Sequence, residues 1–493
     1  MFYLYSMKRN LEALFLLALC LVTSGCVKLM PDEYRQLDEE TRTQRRYVNQ
    51  FAWNTMDTFY LWRDKIASAM AKWQNWEEPI QKVAEIRYKD SAGKDIDRWT
   101  MLTDDMDAMQ GSVSGHTRTL GMDFHVYYAD RTQTRVCAVV TYTYAGSPAA
   151  EAGLQRGDVI LKVDGRELTP DNYLQLIREG LLGGGTVRLG LSDERTVTLT
   201  AIDMYENPVQ TACVLEAADG RKVGYLHYTS FTLDSCEDLV NVFNGFVAAG
   251  IDEMVLDLRY NGGGYVVTET VLASMLAPVS VVKAKSALTQ MVYNEKVAKE
   301  IKDGTTRFDT VFNFKSDGES HVVITEGANP DLPRLYVLTS NGSASASEAL
   351  ICGLKPYMDV ILVGKKTSGK FCAGILLNAE DWYAEVKNAL GKGEYEKALP
   401  YVENWGLYVM YSRYADCNGR TLSMPDGIDP DVEVDDNPGD GFPLGDPRET
   451  MLATALSLIE GRTRSADTAP APSRTPVPEM FHPRTTGFFV NQF

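Results

Sequence analysis

Histidine is scarce in this chain of 493 residues, with only His116, His125, His227, His321 and His482 present. All five lie away in sequence from the segments that carry chemistry below. A Ser–His–Asp arrangement therefore has no local support, although folding can bring a histidine close. The eight cysteines are scattered with no CxxC pair, which argues against a zinc site and a dense disulfide framework. Setting aside Cys20 and Cys26, the remaining six (Cys137, Cys213, Cys236, Cys352, Cys372 and Cys417) read as buried free thiols. Export would permit disulfides, which the spacing does not assign. Basic residues are outnumbered, 49 Lys and Arg against 67 Asp and Glu, for a net charge of −18. The clustered positive charge that phosphate binding needs is missing, so nucleic acid is not an expected partner. Neither the GKS/T of a phosphate loop nor a dinucleotide fingerprint occurs. No repeat of fixed period appears, and the length exceeds what one hydrophobic core organises, so two or three domains are expected.

What is present begins with a distinctive first stretch. Lys8 and Arg9 precede the apolar run Leu14–Val22, followed by Thr23-Ser24-Gly25-Cys26. The run is short for a membrane span, and its layout is that of a signal peptide over residues 1–26. The small residues ending in cysteine resemble a bacterial lipobox, which would make Cys26 the acylated first residue of an exported, membrane-anchored chain. Thr23 departs from the aliphatic residue usual there; simple signal cleavage or a lone membrane anchor has a similar layout. Residues 27–46 are charged and read as a tether. From Tyr47 to about Trp76, Phe51, Met56, Phe59, Tyr60 and Trp62 recur at near-helical spacing, so 47–117 reads as a mainly helical region whose aromatic stripe is core.

From residue 118 short β-prone runs take over. Val136–Val140 and Val159–Val163 flank a loop, a short Ala-rich helix with Pro148 near its first turn, and a Gly153 stop. Asp164-Gly165 is a turn, Asp171 to Glu179 can form a capped helix, and Thr186–Leu189 with Arg195–Thr200 complete a strand pair. The string SPAAEAGLQRGDVILKVDGREL resembles the PDZ-like domains of bacterial proteases, over residues 118–203. That resemblance implies a sheet edge that accepts an extended peptide as an added strand. Its carboxylate-binding loop would fall at Leu120, Gly121, Met122, Asp123 and Phe124; a rigid spacer that binds nothing is the alternative.

Residues 204–460 alternate strand and helix: strands at 223–228, 253–258, 334–339 and 360–363, and helices at 235–249, 268–276 and 347–354. This order predicts α/β layering. Trp382 to Ala398 reads as a helical insertion, and residues 461–493, rich in Pro, Ser and Thr, as a disordered tail.

Three segments carry chemistry. Asp257 to Gly264 ends in three glycines after a buried strand, where backbone N–H groups can approach a ligand as an oxyanion site requires, although glycines also merely end strands. Thr339 to Leu350 runs from a buried strand through small residues into a helix. A serine there sits at a helix N-terminus, where free N–H groups favour developing negative charge, and an N-cap serine with no further role has the same signature. Val363 to Phe371 leaves a strand with three lysines. Lys365 and Lys366 read as solvated, whereas Lys370, between Gly369 and Phe371-Cys372, can be desolvated and serve as a neutral base.

Together and in this order, the three segments and the module before them resemble the carboxyl-terminal processing peptidases, also called tail-specific proteases, over residues 118–435. The resemblance implies a crotonase-like α/β core and a serine endopeptidase acting in the cell envelope on protein or peptide substrates, by their C-terminal segments, without metal or organic cofactor. Carried over by position, Ser345 is the nucleophile and Lys370 the general base. The N–H of Ala346 and one from the Gly263 region form the oxyanion hole, and Glu348 has a structural role. One position departs: the Gln usual four residues after the lysine is Gly374. That departure supports an alternative, a lipid-anchored peptide-binding scaffold that has lost turnover.

Overall fold

The computed structural model describes residues 31–316, 318–462, 474, 475, 477 and 489–490. The signal segment with Cys26 and most of the stretch after 462 lie outside the described residues. The first long helix, α1 (Glu39–Phe59), starts at Glu39 rather than at Tyr47, so the second half of the expected tether is helical. The Asp38 side chain accepts the Thr41 N–H at 2.8 Å, and Glu39 and Glu40 follow in the first turn, both favourable at a helix start. The helix stops at Phe59 instead of running to Trp76. Tyr60 turns extended there, and its hydroxyl is drawn inward to Asp97 (2.8 Å) and to the Tyr88 N–H (2.8 Å). The aromatic stripe is core, with Tyr47, Phe51, Met56 and Phe59 all buried.

The module at 118–203 is built on β1 (Met122–Tyr128), β2 (Val136–Thr143), β3 (Val159–Val163), β4 (Thr186–Leu191) and β5 (Thr196–Thr200), hydrogen-bonded antiparallel in that order. Ser147 caps the Ala-rich helix by accepting the Ala150 N–H, with Pro148 at its first position. The helix expected at 171–179 is shorter, Tyr173–Leu176, and continues as a π-helical turn through Leu181.

Among the described residues the core contains two large sheets and a two-stranded hairpin, Val311–Ser316 with Glu319–Ile324. Its elements are β6 (Val209–Glu216), β7 (Lys222–Tyr228), α2 (Ser235–Ala249), β8 (Glu253–Asp257), β9 (Gly264–Tyr265) and α3 (Val266–Leu276). They continue with β10 (Ala287–Tyr293), β11 (Thr305–Arg307), β12 (Arg334–Thr339), α4 (Ala346–Leu354), β13 (Asp359–Gly364) and β14 (Cys372–Asn378). Last come β15 (Gly406–Asp416), β16 (Val432–Glu433), α5 (Thr450–Ile459) and β17 (Phe489–Val490). The first sheet runs β6-β7-β8-β12-β13-β16 and is parallel except for β6. Its strands are apolar on both faces, as a sheet covered on both sides requires. Val223, Tyr225, Val255, Tyr336 and Leu338 meet α5, while Leu226, Met254, Leu256, Leu335 and Val337 face the helices on the other side. The second sheet, β9-β17-β14-β15-β10-β11, lies beyond α3 and α4, with Met101–Thr103 paired to β15. Helix α4 therefore sits between layers, buried at every residue. The expected insertion at 382–398 is two helices, Ala379–Leu390 and Lys392–Val402.

A buried ionic hub ties the PDZ-like module to this core. Arg259, fully buried, reaches Asp257 (2.9 Å), Glu449 (2.7 Å) and Asp436 (2.9 Å). From the module, Arg156 donates to the same Asp436 (2.7 Å) and to the Tyr260 hydroxyl (2.7 Å), which itself bonds Asp436. Although burial pushes the other way, the two guanidiniums hold the Asp436 carboxyl far below the usual carboxylate range. A depressed carboxyl contributes stability above its unfolded pKa of about 4 and loses it as pH falls below that. Replacing Arg156 by Met leaves Asp436 half-paired and is expected to cost about 3 kcal/mol in urea unfolding at neutral pH. The same variant should show a smaller loss of stability on acidification than the parent; an equal acid response would contradict the hub.

Candidate active site

The serine segment is held by the glycine segment. Asn261 anchors both: its side-chain amide donates to the Tyr228 carbonyl (3.0 Å), and its own carbonyl accepts the Ala344 N–H (3.0 Å) and the Ser347 hydroxyl (3.0 Å). The Ser343 hydroxyl donates to the Leu258 carbonyl at 2.8 Å. Small residues are required because this turn enters α4 inside the protein, with no space for larger side chains. At the turn Ser345 adopts φ 62°, ψ −111°, a left-handed region that costs a non-glycine residue about 1–3 kcal/mol. Such strain is typical of a side chain presented at a sharp strand-to-helix turn. Ser345 is fully buried, and among the described residues its Oγ has no hydrogen-bond partner. The N–H of Ala346, first in α4, has no intrahelical acceptor.

Lys370 arrives on the loop between β13 and β14. That loop is docked by Ser368 N–H to the Ser343 carbonyl (3.0 Å) and by Thr367 N–H to the Ile428 carbonyl (3.1 Å). Gly369 turns with φ 83°, and a Cβ there would lie 2.5 Å from the Pro425 carbonyl oxygen. The Glu348 carboxylate joins the two segments. Its Oε2 accepts the backbone N–H of Ser345 (3.0 Å) and of Lys370 (2.8 Å); its Oε1 accepts the Gly369 N–H (2.8 Å) and the Thr367 hydroxyl (2.6 Å). Burial raises the Glu348 pKa, and these four donors oppose the rise. All four partners donate, which suits an ionised, acceptor-only group.

The Lys370 side chain is buried completely, and burial brings its pKa down to about 7; Cys372, Asp97 and Glu348 pull weakly upward. Its Nζ donates to the Tyr408 hydroxyl at 3.1 Å and lies 5.8 Å from the Trp99 ring centroid. Sequence reasoning missed Tyr408 because β15 was not read as a strand. The missing Gln is explained by the same residue: a Cβ at Gly374 would stand 2.4 Å from the Tyr408 ring. The tyrosine from the neighbouring strand fills the volume a side chain at 374 would need, and it reaches the amine.

The glycine segment differs from expectation at one atom. The Gly263 N–H donates to Asn261 Oδ1 at 2.9 Å, so the amide nominated for the oxyanion hole is engaged here. The glycines are needed for close approach: Phe231 N–H bonds the Gly263 carbonyl (2.8 Å), and a Cβ on Gly264 would lie 2.3 Å from the Phe231 oxygen. A cavity of about 220 Å³ opens between Gly262–Gly264 and Ser230 on one side and Leu120, Tyr144 and Leu182 of the module on the other. Ser345 and Lys370 are not among its lining residues. Around the nominated peptide loop, Leu120, Met122 and Phe124 point into the module's core. The Gly121 N–H is taken by Thr119 Oγ1 (2.9 Å), and Asp123 accepts the Thr141 hydroxyl (2.9 Å). The four described histidines make no hydrogen bond to Ser345 Oγ; His227, fully buried, is pushed down to about 4 by burial. Among the described residues no group of three His, Cys, Asp or Glu side chains is placed to hold a metal ion. The six cysteines are free thiols, with Cys213 and Cys417 only half-buried.

Residues 222–434 match the model of peptidase family S41, and residues 139–184 match that of the PDZ domain. The core is thus similar to the family S41 peptidases over residues 222–434. Curated relatives carry the name carboxyl-terminal-processing protease. One from Synechocystis sp. is 29% identical over 273 residues, 53% of this chain and 55% of its own length. Another, from Picosynechococcus sp., is 26% identical over 314 residues, 60% of this chain and 68% of its own. The chain thus spans a little over half the length of the first of these relatives. In fold it resembles a crystal structure assigned to the S41 proteases from Bacteroides fragilis NCTC 9343, with TM-score 0.63 and 24% identity, covering 84% of this chain and 97% of that one.

The packing of Tyr408 on Gly374 has a testable consequence. Gly374→Gln alone forces an overpacked site and is expected to cost about 1–3 kcal/mol in chemical denaturation. Tyr408→Ala should relieve that strain, so the double variant costs less than the sum of the two single changes. Strict additivity would contradict the contact.

Proposed function

We propose that the chain is a serine endopeptidase of the carboxyl-terminal processing type, acting through Ser345 and Lys370. The observation that carries the reading is the shared carboxylate of Glu348, which fixes the backbones of both residues while the lysine amine is buried at a pKa near neutrality. In the proposed reaction neutral Lys370 takes the Ser345 proton as Oγ attacks the scissile carbonyl, then returns it to the leaving amine; water releases the acyl group in a second pass. The developing oxyanion is met by the Ala346 N–H and a further N–H of the glycine segment, which Gly263 could supply only by leaving Asn261. Tyr408 acts as a positioning residue for the amine, the part the absent Gln would have played. The scaffold alternative rested on Gly374, and this contact removes its motive.

Substrates are proposed to be proteins or peptides whose extended segments add to the edge of β1 beside the Leu120–Phe124 loop. Export with lipidation at Cys26, and so a place on the cell envelope, belongs to the same proposal. So does the division into signal 1–26, tether 27–46, helical region 47–117, PDZ-like module 118–203 and peptidase core 204–460.

Cleavage of unfolded casein or a fluorescent peptide library is expected to vanish in Ser345→Ala and in Lys370→Ala, with the fold retained by circular dichroism. Undiminished cleavage by either variant would refute the assignment. Because only the neutral amine accepts a proton, kcat/KM should rise with pH through a midpoint near 7. Tyr408→Phe removes a hydrogen bond to the charged amine, so the midpoint should move down and kcat fall about tenfold. Between pH 7 and the ordinary lysine value of 10.5 the unfolded chain binds the extra proton, so stability should rise with pH over that window. In Lys370→Met that rise disappears and thermal stability at neutral pH increases.

A further inference from the structure

Two strand edges in this protein are met by residues from late in the same chain. Strand β1 is an edge of the PDZ-like sheet, and its outward groups are not idle. The Tyr128 N–H donates to the Thr475 carbonyl at 2.9 Å, and the Val477 N–H donates to the Val126 carbonyl. The numbering rises on one strand as it falls on the other, so Thr475 and Val477 lie antiparallel along β1. That is the geometry of a peptide added to a sheet edge. Val477 is only 7% exposed and joins the apolar cluster of Phe124, Val126, Leu176 and Ile177, as an anchoring side chain of a bound peptide would. Arg474 lies against Cys137 on the adjacent β2.

The second contact is in the core. Strand β17 is inserted between β9 and β14, parallel to both, with Phe489 opposite Gly264 and Val490 opposite Tyr265 and Gly374. Strand β9 follows the glycine segment directly, and β14 begins two residues after Lys370. A two-residue strand contributes little to a sheet of this size, and its place between the two chemistry-bearing segments suits a ligand better than a structural strand.

We infer that the edge of β1 and the slot between β9 and β14 are peptide-binding positions, and that this chain fills them in cis, the first with Thr475 and Val477 and the second with Phe489–Val490, so that a substrate gains entry by displacing them. The consequence for turnover rests on the proteolytic reading above; the occupancy does not. The partner chemistry is an extended peptide with an apolar residue at the position of Val477.

The test uses the full chain. Val477→Pro removes the donor to Val126, Val477→Asp places a charge in the apolar cluster, and Val490→Pro removes a strand N–H from the slot. Hydrogen exchange followed by mass spectrometry reads the β1 amides directly. Exchange of the Tyr128 amide should rise about tenfold or more in either Val477 variant, reporting a local opening that leaves the rest of the module protected. In the same variants, and in Val490→Pro, cleavage of an unstructured fluorescent peptide should speed up several-fold, mainly through a lower KM. Unchanged Tyr128 exchange in both Val477 variants overturns the inference, and so does raised exchange with unaltered cleavage by an active enzyme. Protection of Tyr128 that falls on dilution would make the occupant a second copy and overturn the cis assignment. Raised exchange in a protein that cleaves nothing would leave the occupancy standing and remove the proteolytic reading instead.

Discussion

One buried carboxylate organises the centre of this molecule. Glu348 accepts four hydrogen bonds, from Ser345, Lys370, Gly369 and Thr367, and thereby binds the start of α4 to the loop that enters β14. The two loops come from different strands of the first sheet and share no secondary structure at this point. Without the carboxylate, three backbone N–H groups would be buried unpaired, at about 1–3 kcal/mol each, and the Thr367 hydroxyl would keep only the Ile428 N–H that it accepts. The strained backbone of Ser345 persists because its N–H is one of the four. The same carboxylate thus accounts for the turn, for the position of the lysine backbone and for the helical start that offers the Ala346 N–H.

The fold accepts costs at this place that it avoids elsewhere. A lysine amine is enclosed beside Trp99 and Tyr408, where charge is disfavoured, and the outcome is a group that titrates near neutrality. Where charge is retained in the interior it is heavily compensated, as in the hub of Arg259, Arg156, Asp257, Asp436 and Glu449. The contrast separates structural ion pairing from a site where burial favours an uncharged amine. Placing the hub at the junction also gives the PDZ-like module a fixed seat on the core, with the cavity beside Gly262–Gly264 between them.

Much of this was legible from residue order. The α/β layering announced itself because the central strands are buried on both faces and so read as short continuous apolar runs; Ser235–Ala249 and Arg334–Thr339 have the same limits in sequence and structure. The small-residue run into α4 and the apolar surroundings of Lys370 marked the two chemical segments. What stayed hidden depends on contacts between distant residues. Strand β15 reads as an aromatic-rich run without clear alternation, being covered on both faces, so Tyr408 gave no local signal of its closeness to Lys370. The exchange of a Gln side chain for a phenol from another strand is visible only once Gly374 and the Tyr408 ring are seen in contact. Nor could spacing reveal that Asn261 would take the Gly263 N–H. The start of α1 was misjudged because the charged residues 39–46 look like tether until Asp38 is seen to cap them.

The central claim is that Ser345 is made nucleophilic by a neutral Lys370. Covalent labelling by a fluorophosphonate probe, with the modified residue mapped by mass spectrometry across pH, tests it without assuming any substrate. The account predicts a single modified serine, Ser345, at a rate that climbs through pH 7 and collapses in Lys370→Met. Labelling of Ser345 that is independent of pH and of Lys370, or its absence from the folded protein, would contradict it.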